Sequence, residues 1–122
     1  MAKGTITHIE FPADDIERAK RFYGAIAGWE FSEMAGLPDY WLFRTNTEAG
    51  GGLGRRGETV GSGVRVYIDV DDLDAALTAV GANGGSVVTP PSPVPGFGRY
   101  AAVLDPEGNE IGLFEAAAPA PA

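Results

Sequence analysis

The chain offers few residues for chemistry, and they are informative by type. His8 is the only histidine, and there is no cysteine. A lone imidazole serves either as a general base or as a hydrogen-bond donor to a ligand; the plainer alternative is a histidine satisfied by a neighbouring carboxylate such as Glu10. The absence of cysteine excludes disulfides, thiolate metal sites and a thiol nucleophile. With one histidine and no Gly-x-Ser-x-Gly, a nucleophilic triad has no material. Gly50-Gly51-Gly52 is not a phosphate loop, because no Lys-Ser/Thr follows and no helix begins there. The next candidate is Arg65, in a stretch where Arg65, Tyr67 and Asp69 alternate with Val64, Val66, Ile68 and Val70. Period two marks a strand with two different faces. A cation, a phenol and a carboxylate on one face are costly unless they line a wet cavity or meet a partner. Arg65 suits the clamping of a carboxylate, phosphate or enolate; its alternative is an ion pair with Glu110 or Asp69.

The elements that carry these residues follow from the same patterning. Thr5 to Phe11 alternates as a strand, ended by Pro12. Asp14 or Asp15 caps a helix whose Ile16, Ala19, Phe22, Tyr23 and Ile26 share a face, closed by Gly28. Trp29 to Phe31, Tyr40 to Arg44 and a Gly-rich stretch from Gly51 to Arg55 read as strands, with Trp29 packing at the helix end. Gly57 to Gly63 is a linker. The stretch around Arg65 runs into an Asp72 cap and a helix to Val80, with Gly81 to Gly85 as its stop. Ser86 to Val88 is a strand, and the prolines at 90, 91, 93 and 95 predict a long irregular loop. Arg99 to Asp105 and Glu110 to Glu115 are strands about a tight Asp105-Pro106-Glu107-Gly108 turn, and residues 116–122 read as a frayed tail.

Composition narrows the function classes. The 122 residues suffice for one domain, and 44% are hydrophobic. Seventeen acidic residues against nine basic give a net charge of -8, which argues against nucleic acid and against an anionic membrane surface. No apolar run is long enough to cross a bilayer, and the start does not read as a signal peptide, so the expected location is the cytoplasm.

The chain repeats itself. At an offset of 57, Asp15-Ile16 falls on Asp72-Leu73, Ile9 on Val66, Phe11 on Ile68 and Gly28 on Gly85; at an offset of 60, Gly52-Leu53 falls on Gly112-Leu113. Each half is strand, helix and three strands: module one over 5–57, module two over 63–115. This tandem βαβββ pattern resembles the vicinal oxygen chelate superfamily of glyoxalases, extradiol dioxygenases and bleomycin-binding resistance proteins. The residues that carry the resemblance are His8, Asp15 to Tyr23, Gly28-Trp29-Glu30-Phe31, Val70 to Leu77, Gly84-Gly85 and Asp105 to Glu115.

The resemblance implies an α+β fold, a single domain in which the two modules form an open, cup-shaped mixed sheet with helices outside. It also implies a homodimer. The superfamily's metal enzymes hold ligands on the first and last strand of each module; those positions here are His8, Gly52, Arg65 and Gly112. Only His8 can bind a metal, so the expectation is no metal and no cofactor. The predicted ligand contacts are His8, Arg65, Tyr67, Tyr100 and Glu110 on the concave face, and Phe97 in a lip formed by residues 95–99, whose alternative is a stiff connector. Trp41 and Phe43, which share one face of the third strand, complete the set; Tyr40, Leu42 and Arg44 share the other. The expected function is a metal-independent binding protein that sequesters a planar or apolar metabolite or antibiotic. The alternative is a metal-independent lyase, isomerase or epimerase with His8 as base and Arg65 as stabiliser, and a metal-dependent glyoxalase or dioxygenase ranks last.

Overall fold

A computed structural model describes residues 3–117. The protein is α+β, and its chain divides into two compact units, Thr7–Val66 and Tyr67 onward, the latter joined by the residues up to Ile6. In the N-terminal unit, strand β1 (Ile6–Ala13) leads to helix α1 (Ile16–Ala27) and then to β2 (Ser32–Glu33), β3 (Tyr40–Arg44) and β4 (Gly50–Arg55). Its strands lie in the order β2-β3-β4-β1, with β1 parallel to β4 and the other pairs antiparallel. The C-terminal unit has the same plan: β5 (Arg65–Asp69), α2 (Leu73–Ala82), β6 (Ser86–Val94), β7 (Gly98–Leu104) and β8 (Glu110–Ala116), in the order β5-β8-β7-β6. Here β5 and β8 are parallel.

The repeat read from the sequence is present in the hydrogen bonding. Asp15 caps α1 by accepting from the Arg18 amide at 3.0 Å, and 57 residues on Asp72 caps α2 by accepting from the Ala75 amide at 3.1 Å. Glu10 stands opposite Gly52, and Tyr67 opposite Gly112, which reproduces the offsets of 57 and 60. The first helix ends as expected, and the second runs two residues past Val80 into the stretch read as its stop. Gly28 closes α1 in the left-handed region; Asn83 caps α2 and the left-handed residue that follows is Gly84, within the expected Gly81 to Gly85.

Each unit buries a separate apolar layer between its helix and its sheet. In the N-terminal unit Ala13, Ile16 and Leu53 form the centre, with Phe11, Ala19, Phe31 and Trp41 packed around them. In the C-terminal unit the centre is Leu73, Ala101, Val103 and Leu113, with Ile68, Val70, Leu77 and Ile111 around it. The alternation in β5 is as predicted, yet its polar face is the more buried: Arg65, Tyr67 and Asp69 are buried while Val66 and Ile68 are only partly so.

Three strand assignments are corrected. The loop expected from the prolines is strand for most of its length, since β6 runs through Pro90, Pro91 and Pro93 against β7. An edge strand tolerates proline because the missing N–H has no ladder partner to lose, and the register shifts twice along it. β2 is two residues long and starts after Phe31, because Trp29 and Phe31 are drawn into ring contacts instead. β1 continues through Pro12 to Ala13. The predicted tail begins at the end of β8, and residues 118–122 lie outside the described residues.

Candidate functional site

In the N-terminal unit the phase of β1, β3 and β4 sends two sets of side chains to opposite sides. Odd-numbered Phe11, Trp41 and Leu53 pack with α1, and Phe43 on the same side meets Phe11, Trp29 and Phe31. Trp41 packs on the apolar centre with Lys20 Nζ 3.8 Å above its ring, and Phe43 stacks on Trp29 at 4.2 Å. Trp41 and Phe43 thus lie on the α1 side of the sheet, on the opposite face of β3 from Tyr40. Trp29 packs at the helix end as expected, between Tyr23 and Phe43.

The opposite face holds His8, Glu10, Tyr40 and Gly52. The His8 Nε2 and Tyr40 Oη atoms are 2.8 Å apart, joined by a hydrogen bond, and the two ring planes differ by 16°. The ring of Tyr40 lies across Gly52 so closely that a Cβ there would overlap its hydroxyl end. Glu10 accepts from Arg65 Nη1 at 3.5 Å, and both residues of that pair are buried. Glu10 is thus a carboxylate partner of Arg65 that the sequence reading did not name. Burial lowers the pKa of His8 below the ordinary histidine value, because desolvation penalises the imidazolium. Burial thus favours the neutral imidazole over the imidazolium.

In the C-terminal unit Tyr67 is buried and its ring covers Gly112, where again a Cβ would overlap it. Tyr100 meets Tyr67 edge-on, with centroids 6.2 Å apart and planes at 62°. Strand register puts Glu110 on the same face as these rings. Phe97 lies in the turn between β6 and β7, half exposed, where its amide donates to the Val94 carbonyl and its carbonyl accepts from the Ala117 amide. Each unit therefore gathers its own share of the predicted residues: His8 with Tyr40 and Arg65 with Glu10 in one, Tyr67 with Tyr100 in the other. Tyr40 is the residue that sequence reasoning missed. Its signal was its phase: it shares a face of β3 with Leu42 and Arg44, across from a strand made of glycine.

The four positions that the superfamily's enzymes use for metal do not fit a divalent cation here. His8 gives its Nε2 to a phenol hydroxyl and Arg65 is a permanent cation. The spaces above Gly52 and Gly112 are filled by tyrosine rings, so even a substituted ligand side chain would have no room. Among the described residues no three His, Asp or Glu side chains are grouped to hold a metal ion. No helix among them is long and apolar enough to cross a membrane.

Paired βαβββ units with this register define a glyoxalase-fold protein. The chain belongs to the glyoxalase/bleomycin resistance protein/dioxygenase superfamily, whose sequence pattern matches residues 5–113. A glyoxylase-like domain-containing protein from Didymella fabae is 38% identical over 117 residues, covering 87% of this chain and 89% of that one. A putative glyoxylase, CFP32, from Mycobacterium bovis is 33% identical; the match takes in 97% of this chain but only 45% of that protein, so the chain spans about half the length of this relative. Among solved structures, methylmalonyl-CoA epimerase from Mycobacterium tuberculosis superimposes with a TM-score of 0.70 at 19% identity, over 94% of this chain and 89% of that one. The hypothetical protein BH1468 from Bacillus halodurans gives 0.75 at 16% identity, over 99% and 100%. At these identities the two structures share the fold.

Proposed function

We propose that this protein is a metal-independent binding member of its superfamily, holding a planar or apolar small molecule that carries a carbonyl or anionic oxygen. The observation that carries the reading is the pair of tyrosine rings over Gly52 and Gly112, which puts aromatic surface where a metal enzyme needs ligand side chains. Rings supply stacking area and Arg65 supplies charge for an oxygen, a division of labour common to small-molecule sites. His8, Arg65 and Tyr40 are the proposed contacts in the N-terminal unit; Tyr67, Tyr100, Glu110 and Phe97 are those in the C-terminal unit. Sequestration of a metabolite or antibiotic in the cytoplasm by a homodimer is the concrete form.

The test is calorimetric titration of the purified protein with planar aromatic carboxylates and carbonyl compounds, together with elemental analysis. Arg65→Ala should weaken binding roughly tenfold or more, since a charge-assisted hydrogen bond contributes about 1.5–3 kcal/mol. Near-stoichiometric metal that is lost in His8→Ala would sink the proposal. Trp29 and Trp41 are poor reporters for this assay, because both pack on the α1 side of their sheet.

A second reading keeps an enzyme in view: a metal-independent lyase, isomerase or epimerase with His8 as base. The neutral imidazole favours it. Turnover that vanishes in His8→Ala would establish it over simple binding.

A further inference from the structure

We propose that the outer face of α1 is the surface on which a second copy of this chain docks, through the acidic C-terminal unit of that copy. The inference rests on the homodimer reading above for its partner and deepens it by naming the surface; it is independent of what the protein binds.

The sequence puts more apolar residues on α1 than its unit covers. Ile16, Ala19 and Tyr23 go to the layer between helix and sheet and to its rings. Phe22 and Ile26 do not: they stay 57% and 65% exposed, one turn apart, with exposed Ala25 beside them. Phe22 meets the Tyr23 ring edge-on and leaves the rest of its surface open. Helical spacing puts Arg18 and Arg21 on the same face, one turn nearer the N-terminus. Neither guanidinium forms an ion pair among the described residues; both add to the field that holds the Asp15 carboxyl low. An exposed group of large apolar side chains edged with charge marks an interaction surface.

Charge decides what fits it. The two units share a plan but not a charge. The N-terminal unit holds seven basic and nine acidic side chains and the C-terminal unit two and eight, so the units carry -2 and -6. In the repeat α2 corresponds to α1, yet Ala75, Thr78 and Ala79 stand where α1 has Arg18, Arg21 and Phe22, and exposed Asp71 and Asp74 lie at its start. A protruding basic face and a flat acidic one are complementary in shape and in sign. Two α1 faces would set arginines against arginines. Anionic lipid also suits a basic apolar helix, but it would repel a chain of net charge -8. Each copy carries one face of each kind, so a two-fold dimer makes the contact twice.

Light scattering at high micromolar concentration should show the parent as a dimer. Phe22→Ala should weaken dimerisation about tenfold or more, as the loss of an aromatic anchor at an interface does. Charge exchange tests the pairing. Arg18→Glu with Arg21→Glu, and separately Asp71→Lys with Asp74→Lys, should each be monomeric at low ionic strength. An equimolar mixture of the two should be dimeric, because every contact in the mixed pair is again of opposite sign. Asp74 also holds Arg99 at 3.3 Å, so Ala79→Arg, which adds bulk and charge to the same face and leaves that pair alone, is the second variant and should be monomeric too. Circular dichroism shows that each variant is folded. A monomeric parent ends the homodimer reading and this surface together, as does a monomer that binds phosphatidylserine vesicles. A dimer that withstands Phe22→Ala and both charge exchanges overturns the surface alone, and so does one that only the α1 variants break, which is the mark of α1 on α1.

Discussion

Gly52→Ala separates two explanations for a glycine inside a strand, and they predict opposite signs. Gly52 does not adopt a left-handed backbone, so conformation alone does not require glycine there. On backbone grounds, alanine at such a site should stabilise by about 0.4–1 kcal/mol, through a less flexible unfolded chain. The structure says otherwise, because the three atoms nearest to an added Cβ all belong to the Tyr40 ring. Overpacking of that kind costs roughly 1–3 kcal/mol. If the ring swings away, the His8 bond is lost too, for about 0.5–1.5 kcal/mol more. The net expectation is a destabilisation of about 1–4 kcal/mol. At about 4 °C per kcal/mol for a chain of this size, Tm falls by roughly 4–16 °C. Urea denaturation should show a lower midpoint with an unchanged slope. The same substitution made in a Tyr40→Ala background should be neutral or mildly stabilising, because the obstacle is gone. Equal cost in both backgrounds would refute the reasoning, as would a parent protein that Gly52→Ala stabilises.

Other outcomes follow from the core and from two titrating groups. Leu73 is fully buried at the start of α2, so Leu73→Ala should cost toward the upper part, and the partly buried Ile68→Ala toward the lower part, of the range of about 2–5 kcal/mol, read from urea midpoints; a reversed order would mean that the phase of β5 is misassigned. The Glu115 carboxyl is held below its ordinary pKa by hydrogen bonds from Arg99 and then from the Leu73 amide. Its contribution to stability is present above the unfolded value of about 4.3 and is lost as pH falls through the folded one, so Glu115→Gln should flatten the acid limb of a stability–pH curve. His8 is displaced downward by burial, so its protonation favours the unfolded chain. Stability should decline as pH drops below about 6.5, and His8→Gln should remove that part of the slope.

What the sequence made legible was what repeats. The aspartate caps, the period-two strands and the two offsets are local or periodic signals, and they survive folding because each side chain acts on backbone within its own element. What was not legible depends on a second element. Proline at 90, 91 and 93 reads as loop until β6 is known to be an edge. Trp41 and Phe43 read as binding residues until α1 is known to cover their face of β3. Tyr40 could not be singled out because its role is fixed by Gly52 on one neighbouring strand and His8 beyond it, a relation between three strands that no single window contains. The sequence also placed a polar stripe at Arg65, Tyr67 and Asp69 and left two outcomes open, a wet cavity or a partner. Arg65 meets a partner, buried Glu10, which lies 55 residues away on another strand, and Tyr67 lies against Gly112.

Superposing the two units by register shows how one set of positions reaches two solutions. Tyr40 stands opposite Gly54 and Tyr100 opposite Phe114, so the third strands are related by the same offset of 60 as the last strands. By that relation Asp39 corresponds to Arg99 and Arg55 to Glu115. Both units close these positions with an ion pair, at 3.1 Å and 2.9 Å, but the charges are exchanged. The attraction within the pair is indifferent to the exchange; the adjacent helix is not. In the C-terminal unit the carboxylate of Glu115 also accepts from the first amide of α2 at 2.8 Å, a favourable place for negative charge. Arg55 offers α1 no such acceptor. The glycine slot behaves likewise. Gly112 is covered from the first strand by Tyr67, whose counterpart Glu10 is instead committed to Arg65, so Gly52 is covered from the third strand by Tyr40. That substitution of one strand for another is what brings a phenol hydroxyl to His8, and it has no parallel in the second repeat, where the residue corresponding to His8 is Arg65. The difference between the halves therefore comes from which strand fills an identical gap, and a Glu10→Tyr exchange, which offers the Gly52 slot a ring from the first strand, should displace Tyr40 and break its hydrogen bond to His8.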